Sequence, residues 1–303
     1  NVTSYGATAM AILTAEAFAG MWINTFIICV LCIAWVKKKT LNSNEKILLL
    51  LGCSRFWYLC FSWVYSFLSI FYPTYFYVHP IPQLIVCFHT FFNYSNLWVS
   101  ACLCVFYCVK IASFRNSLFI CLKVKIDRIV PWLLLGSVLS ALAVVIIIYD
   151  VVEDVQSNSL NFTCFGNFWE ANIRMEKHFF SSFFLAGFGY AASFTAVIFS
   201  AVFLLFSLWR HKCQMQRNSM KNVSMDAHIR AMKSILSFLV MYSINFGCLI
   251  LTIIYARKNE STMMLVISIY LYAFPGVHSL ILIFSNPKVE NSWIKILSCM
   301  KSK

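Results

Sequence analysis

The stretch WVSACLCVFYCVKIASFRNSLFICLK, Trp98–Lys123, changes character midway. It begins as an apolar run and ends in a basic segment, with the switch at Tyr107–Lys110. The whole chain is biased the same way. Of its 303 residues 61% are hydrophobic and 12% charged, and the mean hydropathy is +0.77. A soluble domain would be roughly a quarter charged. The solvent for most of this chain is therefore lipid.

About 20 apolar residues are needed to cross a hydrocarbon core of about 30 Å as helix. Seven runs qualify, at about residues 7–36, 47–71, 81–111, 129–149, 179–209, 231–256 and 262–285. Backbone groups in lipid must bond within their own segment, so all seven are expected to be helices. The expected fold is an all-α membrane protein, one seven-helix bundle over residues 1–303. The first run lacks a basic leader and reads as a first span acting as its own signal. The tail, residues 286–303, spaces Val289, Trp293, Ile296, Leu297 and Met300 between lysines. That is the pattern of a short amphipathic helix along the membrane surface.

The cations set the expected orientation. Nineteen of the 24 Lys and Arg fall after runs one, three and five or in the tail. The positive-inside bias makes those segments cytoplasmic and the N-terminus extracellular. It also accounts for the formal charge of +13, so no nucleic-acid partner is implied. The outer loop, residues 150–178, is acidic and carries the sequon Asn161-Phe162-Thr163, an expected glycosylation site. Most of the 13 Cys lie in apolar runs at irregular spacing and read as small hydrophobes. No cofactor or metal is expected.

Polar groups inside the spans require partners or a function. Arg55 lies nine residues from Lys46, about 13 Å deep at 1.5 Å per residue. Asn24 and Ser279 fall in the same broad layer. Arg55 is expected to donate to Asn24 and to groups near His278 and Ser279, either as a switch network or as a bolt tying helices one, two and seven. A second pattern runs down helix three: His89, Asn93, Asn96 and Ser100 share one face, which continues to Cys104 and Tyr107. Tyr65, Ser66, Phe183, Tyr190 and Ser268 reach a similar level in the outer half, with Asn245 and Phe246 deeper. Two readings stand: an outer pocket for a small organic ligand, or interhelical hydrogen bonds with no ligand. No catalytic grouping appears. His278 and Ser279 are adjacent and cannot face each other on a helix, and the chain has no phosphate-binding G-x-x-x-x-G-K-[ST] loop.

Six motifs in order resemble a known family. They are Glu16 and Asn24 with NTFI in helix one, and LLLLGCSRFWYLCFSW around Arg55. The opening stretch is the third. The others are SLWRHKCQMQ closing helix five, AHIRAMKSILSFLVMY opening helix six, and PGVHSLILIFSNPKVE closing helix seven. Together they resemble the type 2, or bitter, taste receptors among G-protein-coupled receptors. Ser193 departs from the pattern, since the family often has proline there. The resemblance implies a plasma-membrane receptor, not an enzyme, that binds small bitter compounds in the outer bundle. Its inner face would couple to a heterotrimeric G protein of the gustducin or inhibitory type, leading to phospholipase C and calcium signalling. Family ligand positions match His89 and Asn93, and Tyr242 matches a helix-six aromatic described as a switch. Tyr107, Lys110, His211, His228 and Lys233 would border the G-protein cavity. Homo- or hetero-oligomers remain open. The rival readings are a vomeronasal-type chemosensory receptor and, from another class, a transporter or channel.

Overall fold

The computed structural model describes residues 4–72, 80–112, 117–159, 178–217, 223–258 and 261–301. These residues form eight helices: α1 (Ser4–Lys38), α2 (Ser43–Phe71), α3 (Ile81–Ile111), α4 (Ser117–Ser159), α5 (His178–Arg217), α6 (Val223–Lys258), α7 (Ser261–Ser285) and α8 (Pro287–Lys301). Among the described residues seven helices are long and apolar enough to cross a membrane, and none forms a strand. The fold is thus the expected all-α bundle with a short amphipathic helix at its end. Several helices run past the apolar stretch that defines the span. The helical segment of α4, for example, begins at Ser117, well before the apolar run at residue 129.

Local sequence explains the helix ends. The two lysines in the last turn of α1 suit the negative end of its dipole. Asn42 caps α2 in a capping box, its backbone N–H donating to Glu45 Oε2 at 3.1 Å. Pro287 opens α8, where a missing N–H costs nothing. The carbonyl of Asn286 accepts there from the N–H groups of Val289 and Glu290, at 3.0 and 2.9 Å. Ser193 sits in unbroken helix, its hydroxyl donating to the Tyr190 carbonyl at 2.9 Å.

Helix α3 is the axis of the bundle. In its apolar window 72% of the residues are buried, against 17% in α4, so α4 lies at the periphery. Helix α3 packs on α2, α4 and α5, while α1 joins α2 to α7 and α6 joins α5 to α7. The largest apolar cluster draws on six helices and lies toward the lysine-rich end. It includes Ile27, Leu31, Ile47, Leu51, Leu103, Phe106, Ile126, Ile283 and Val289. Through Val289, and through Trp293 set edge-on to Phe26 at 4.7 Å and Trp22 at 5.5 Å, α8 is held against α1. The outer surface is apolar as lipid requires, with Trp132, Ile146, Phe188 and Phe199 all more than half exposed.

The α1–α7 crossing depends on two glycines. A Cβ at Gly276 would lie 3.1 Å from the Gly20 Cα, and one at Gly20 would lie 2.7 Å from Leu59 Cδ1. Small residues at such crossings let membrane helices approach backbone to backbone. Gly276→Ala is expected to destabilise the bundle by about 1 kcal/mol or more through overpacking against backbone. Gly136→Ala, where nothing lies within 4 Å of the new methyl, provides the comparison. Thermal unfolding of the purified variants should show a lower Tm for Gly276→Ala alone.

Candidate functional site

Arg55 enters the bundle centre from α2 and is fully buried. Its guanidinium carries five N–H donors and no acceptor. Nε donates to Asn96 Oδ1 at 3.0 Å, Nη1 to Ser279 Oγ at 2.8 Å, and Nη2 to His278 Nδ1 and, at 3.5 Å, to Ser100 Oγ. Ser279 Oγ donates onward to Asn24 Oδ1 at 2.8 Å, and Asn24 Nδ2 to the Gly20 carbonyl at 2.8 Å. All these partners are neutral. The charge is met by oriented dipoles from three helices, α1, α3 and α7, with no carboxylate among these contacts.

Two details differ from the sequence expectation. Arg55 does not reach Asn24 directly, because Ser279 relays between them. Asn96, expected in the ligand stripe, is turned to Arg55 and is 3% exposed. The reason is angular. Asn96 and Ser100 are four residues apart on α3 and both meet the guanidinium, so the stripe of His89 and Asn93 divides at this level. The hydrogen bond also fixes the state of His278. Arg55 can only donate, so Nδ1 must be the acceptor and the proton of the neutral ring sits on Nε2. His278 further borders a cavity of about 50 Å³ shared with Cys104, Tyr107 and Phe238, on the lysine-rich side of Arg55.

Above this layer, away from the lysines, lie most of the residues expected to touch ligand. Asn93 Nδ2 donates to Tyr190 Oη at 2.6 Å, and the Tyr190 ring lies 4.7 Å from that of Tyr94. His89 packs at 5.1 Å on Tyr58, a contact to α2. Ser66 pairs with Tyr272 at 2.7 Å, joining α2 to α7. The Ser268 hydroxyl is spent on its own helix, donating to the Met264 carbonyl at 2.8 Å. Tyr65 is half-buried on α2. Phe246 stacks on Phe194 at 4.2 Å, and Asn245 beside it is buried. The rings continue inward through Tyr242 and Phe238 to His278, the last step being 4.5 Å. Tyr242 Oη also donates to the Leu97 carbonyl of α3 at 3.4 Å. One aromatic column therefore connects α5 and α6 to the Arg55 cluster. Sequence reasoning missed Phe194 and Phe238, since aromatic residues abound in every span.

At the lysine-rich end, Tyr107 Oη donates to Asn44 Oδ1 at 3.1 Å. Lys110 pairs with Asp127 at 2.6 Å, both side chains about half exposed. A lone acid among Lys123, Lys125 and Arg128 was the available signal for Asp127. Asn161 lies outside the described residues, as do the side chains of Phe183, His211, His228 and Lys233. Among the described residues no three His, Cys, Asp or Glu side chains gather as metal ligands would.

Removing one partner of a buried charged donor costs about 1.5–3 kcal/mol. Asn96→Ala is expected to lower stability by that amount and to reduce surface expression. Asn24→Ala and Ser279→Ala should be non-additive by about 0.5 kcal/mol or more, because they share a bond. Thermal denaturation of the single and double variants checks both. Strict additivity would show that the relay carries no energy.

The family model described as "Taste receptor protein (TAS2R)" matches residues 2–301. Taste receptor type 2 member 2 of Homo sapiens is 32% identical over 296 residues, covering 96% of this chain and 95% of its own length. Taste receptor type 2 member 41 of Rattus norvegicus is 32% identical over 299 residues, covering 95% and 94%. Taste receptor type 2 member 40 of Gallus gallus is 31% identical over 299 residues, with the same coverage. With seven spanning helices and a family match along almost its whole length, the chain belongs to the type 2, or bitter, taste receptor family of multi-pass plasma-membrane proteins.

Proposed function

We propose that this receptor binds small organic bitter compounds in the half of the bundle away from the lysines and activates a heterotrimeric G protein at the other end. In this reading the N-terminus and the loop bearing Asn161 are extracellular, as the cation distribution requires. The observation that carries the proposal is the continuous column from Phe246 and Phe194 through Tyr242 and Phe238 to His278 and Arg55. It gives the ligand level a packed connection to the Arg55 layer, which borders the cavity that Tyr107 also lines.

Ligand recognition falls to His89, Asn93, Tyr190, Ser66, Phe183, Asn245 and Phe246, with Tyr65 and Ser268 at the rim. Such a site is mostly aromatic with a few polar groups, which suits organic molecules of mixed character. Asn96 contributes by holding Arg55. A ligand activates by binding the active arrangement more tightly than the resting one. The Arg55 cluster can supply two arrangements, since the neutral partners of this α2 residue sit on three other helices, α1, α3 and α7. Tyr107, Lys110, His211, His228 and Lys233 border the surface for the G protein, of gustducin or inhibitory type, with calcium release through phospholipase C. The chain acts as a receptor and catalyses no reaction.

In cells carrying a suitable G protein, bitter compounds should elicit a calcium response. Asn93→Ala should lower potency about tenfold, the equivalent of one lost hydrogen bond of about 1.4 kcal/mol, with surface expression kept. Silence of surface-expressed receptor across a broad bitter panel would sink the reading. Currents or substrate flux without any G protein would favour a channel or transporter. Asn161→Gln should abolish a glycosidase-sensitive mobility shift. If the shift persists unchanged, Asn161 is not the glycosylated position.

A further inference from the structure

Residues 39–42 join α1 to α2 at the lysine-rich end. Beside this turn lies a surface cavity of about 350 Å³, lined by Trp35, Lys39, Thr40, Leu41, Lys46 and Leu49. Two lysines and a threonine thus share a hollow with a tryptophan and two leucines, and the Thr40 hydroxyl donates to the Lys38 carbonyl at 3.4 Å. Among the described residues neither Lys39 nor Lys46 has a carboxylate partner. The nearby Glu45 carboxylate accepts from the Asn42 N–H within the cap of α2. Lys37 and Lys38 add positive charge in the last turn of α1.

The backbone makes Lys39 unusual. Its φ is 56°, in the left-handed region, and its N–H donates to the Trp35 carbonyl at 2.7 Å, closing α1. Glycine is the residue that ends helices this way without strain. A lysine here accepts a backbone cost, so its side chain needs an account beyond the turn itself. Trp35, 54% exposed, sits where an indole marks the boundary between hydrocarbon and headgroups.

We propose that this cavity holds the phosphorylated headgroup of an anionic membrane lipid. The phosphate sits between Lys39 and Lys46, and Trp35 and Leu49 line the path of the acyl chains. Paired ammonium groups meet phosphate oxygens by charge-assisted hydrogen bonds, and the apolar wall is what a soluble phosphate would leave unused. The proposal rests on the orientation given above, because anionic lipids lie in the cytoplasmic leaflet. It does not rest on ligand or G-protein activity.

The test is lipid binding by the purified full-length receptor, counted by native mass spectrometry in detergent. The probes are phosphatidylinositol bisphosphate, phosphatidylcholine, and the soluble headgroup inositol trisphosphate. The bisphosphate lipid should bind at least tenfold more tightly than phosphatidylcholine. The double variant Lys39→Gly, Lys46→Gln should lose at least tenfold in affinity for it, and the left-handed turn favours its folding. Lys125→Gln with Arg128→Gln removes the same charge from α4 and should change the affinity less than twofold. Trp35→Ala should weaken the lipid at least threefold and leave the soluble headgroup unaffected. Equal losses in the two double variants would reduce the effect to bulk charge and overturn the site. Equal affinity for lipid and soluble headgroup would overturn a lipid as its ligand. Since the readout needs no bitter agonist, a silent receptor and an empty lipid site are separate results.

Discussion

A guanidinium at the centre of a membrane bundle is the constraint on which the rest of this structure turns. Moving it out of water is costly, and Arg55 has no carboxylate among its described contacts. Its cost is offset by dipoles that must all point the right way at once. That requirement fixes the rotation of α3, which presents Asn96 and Ser100, and of α7, which presents His278 and Ser279. It reaches α1 through Ser279 and Asn24. All five of these groups are polar positions visible within the spans of the sequence, and Ser279 serves two partners at once by accepting from Arg55 and donating to Asn24.

The close approach of α1 and α7 serves the same end. Gly20 supplies both the carbonyl that holds the Asn24 amide and the bare Cα that admits Gly276. Pro275 precedes Gly276 and frees one carbonyl in the turn before it, so α7 is loosened close to where it meets Arg55. A tight crossing and a weakened helix, side by side, suit an element with two arrangements. The aromatic column then matters because it ends on His278, whose Nδ1 is tied to Arg55. A shift of Phe238 cannot leave that ring unaffected when it packs at 4.5 Å.

Charge at the lysine-rich end divides into three kinds. Lys110 is paired with Asp127 across the α3–α4 connection, a contact that half-exposed groups make weakly. Lys37 and Lys38 complement the end of a helix. Lys39 and Lys46 face a hollow with apolar walls. Counting cations along the chain treats them alike, and only their surroundings separate them.

The sequence by itself determined the solvent, the number of spans and the family. Apolar run length and the demand for internal hydrogen bonding leave helices as the solution, and both are local properties. It also marked Arg55, Asn24, His278 and Ser279 as a layer, because depth along a helix follows from counting residues. Tertiary structure alone decided which of them touch. Asn96 and Asn93 are three residues apart and look equivalent in sequence, yet one holds Arg55 and the other Tyr190. Their difference is an angle of rotation about α3, set by packing against α2 and α5. The same holds for Phe194 and Phe238, ordinary apolar residues in sequence that become a column only when α5, α6 and α7 meet. Counting residues along a chain gives height in the membrane, whereas the azimuth of each helix depends on its neighbours.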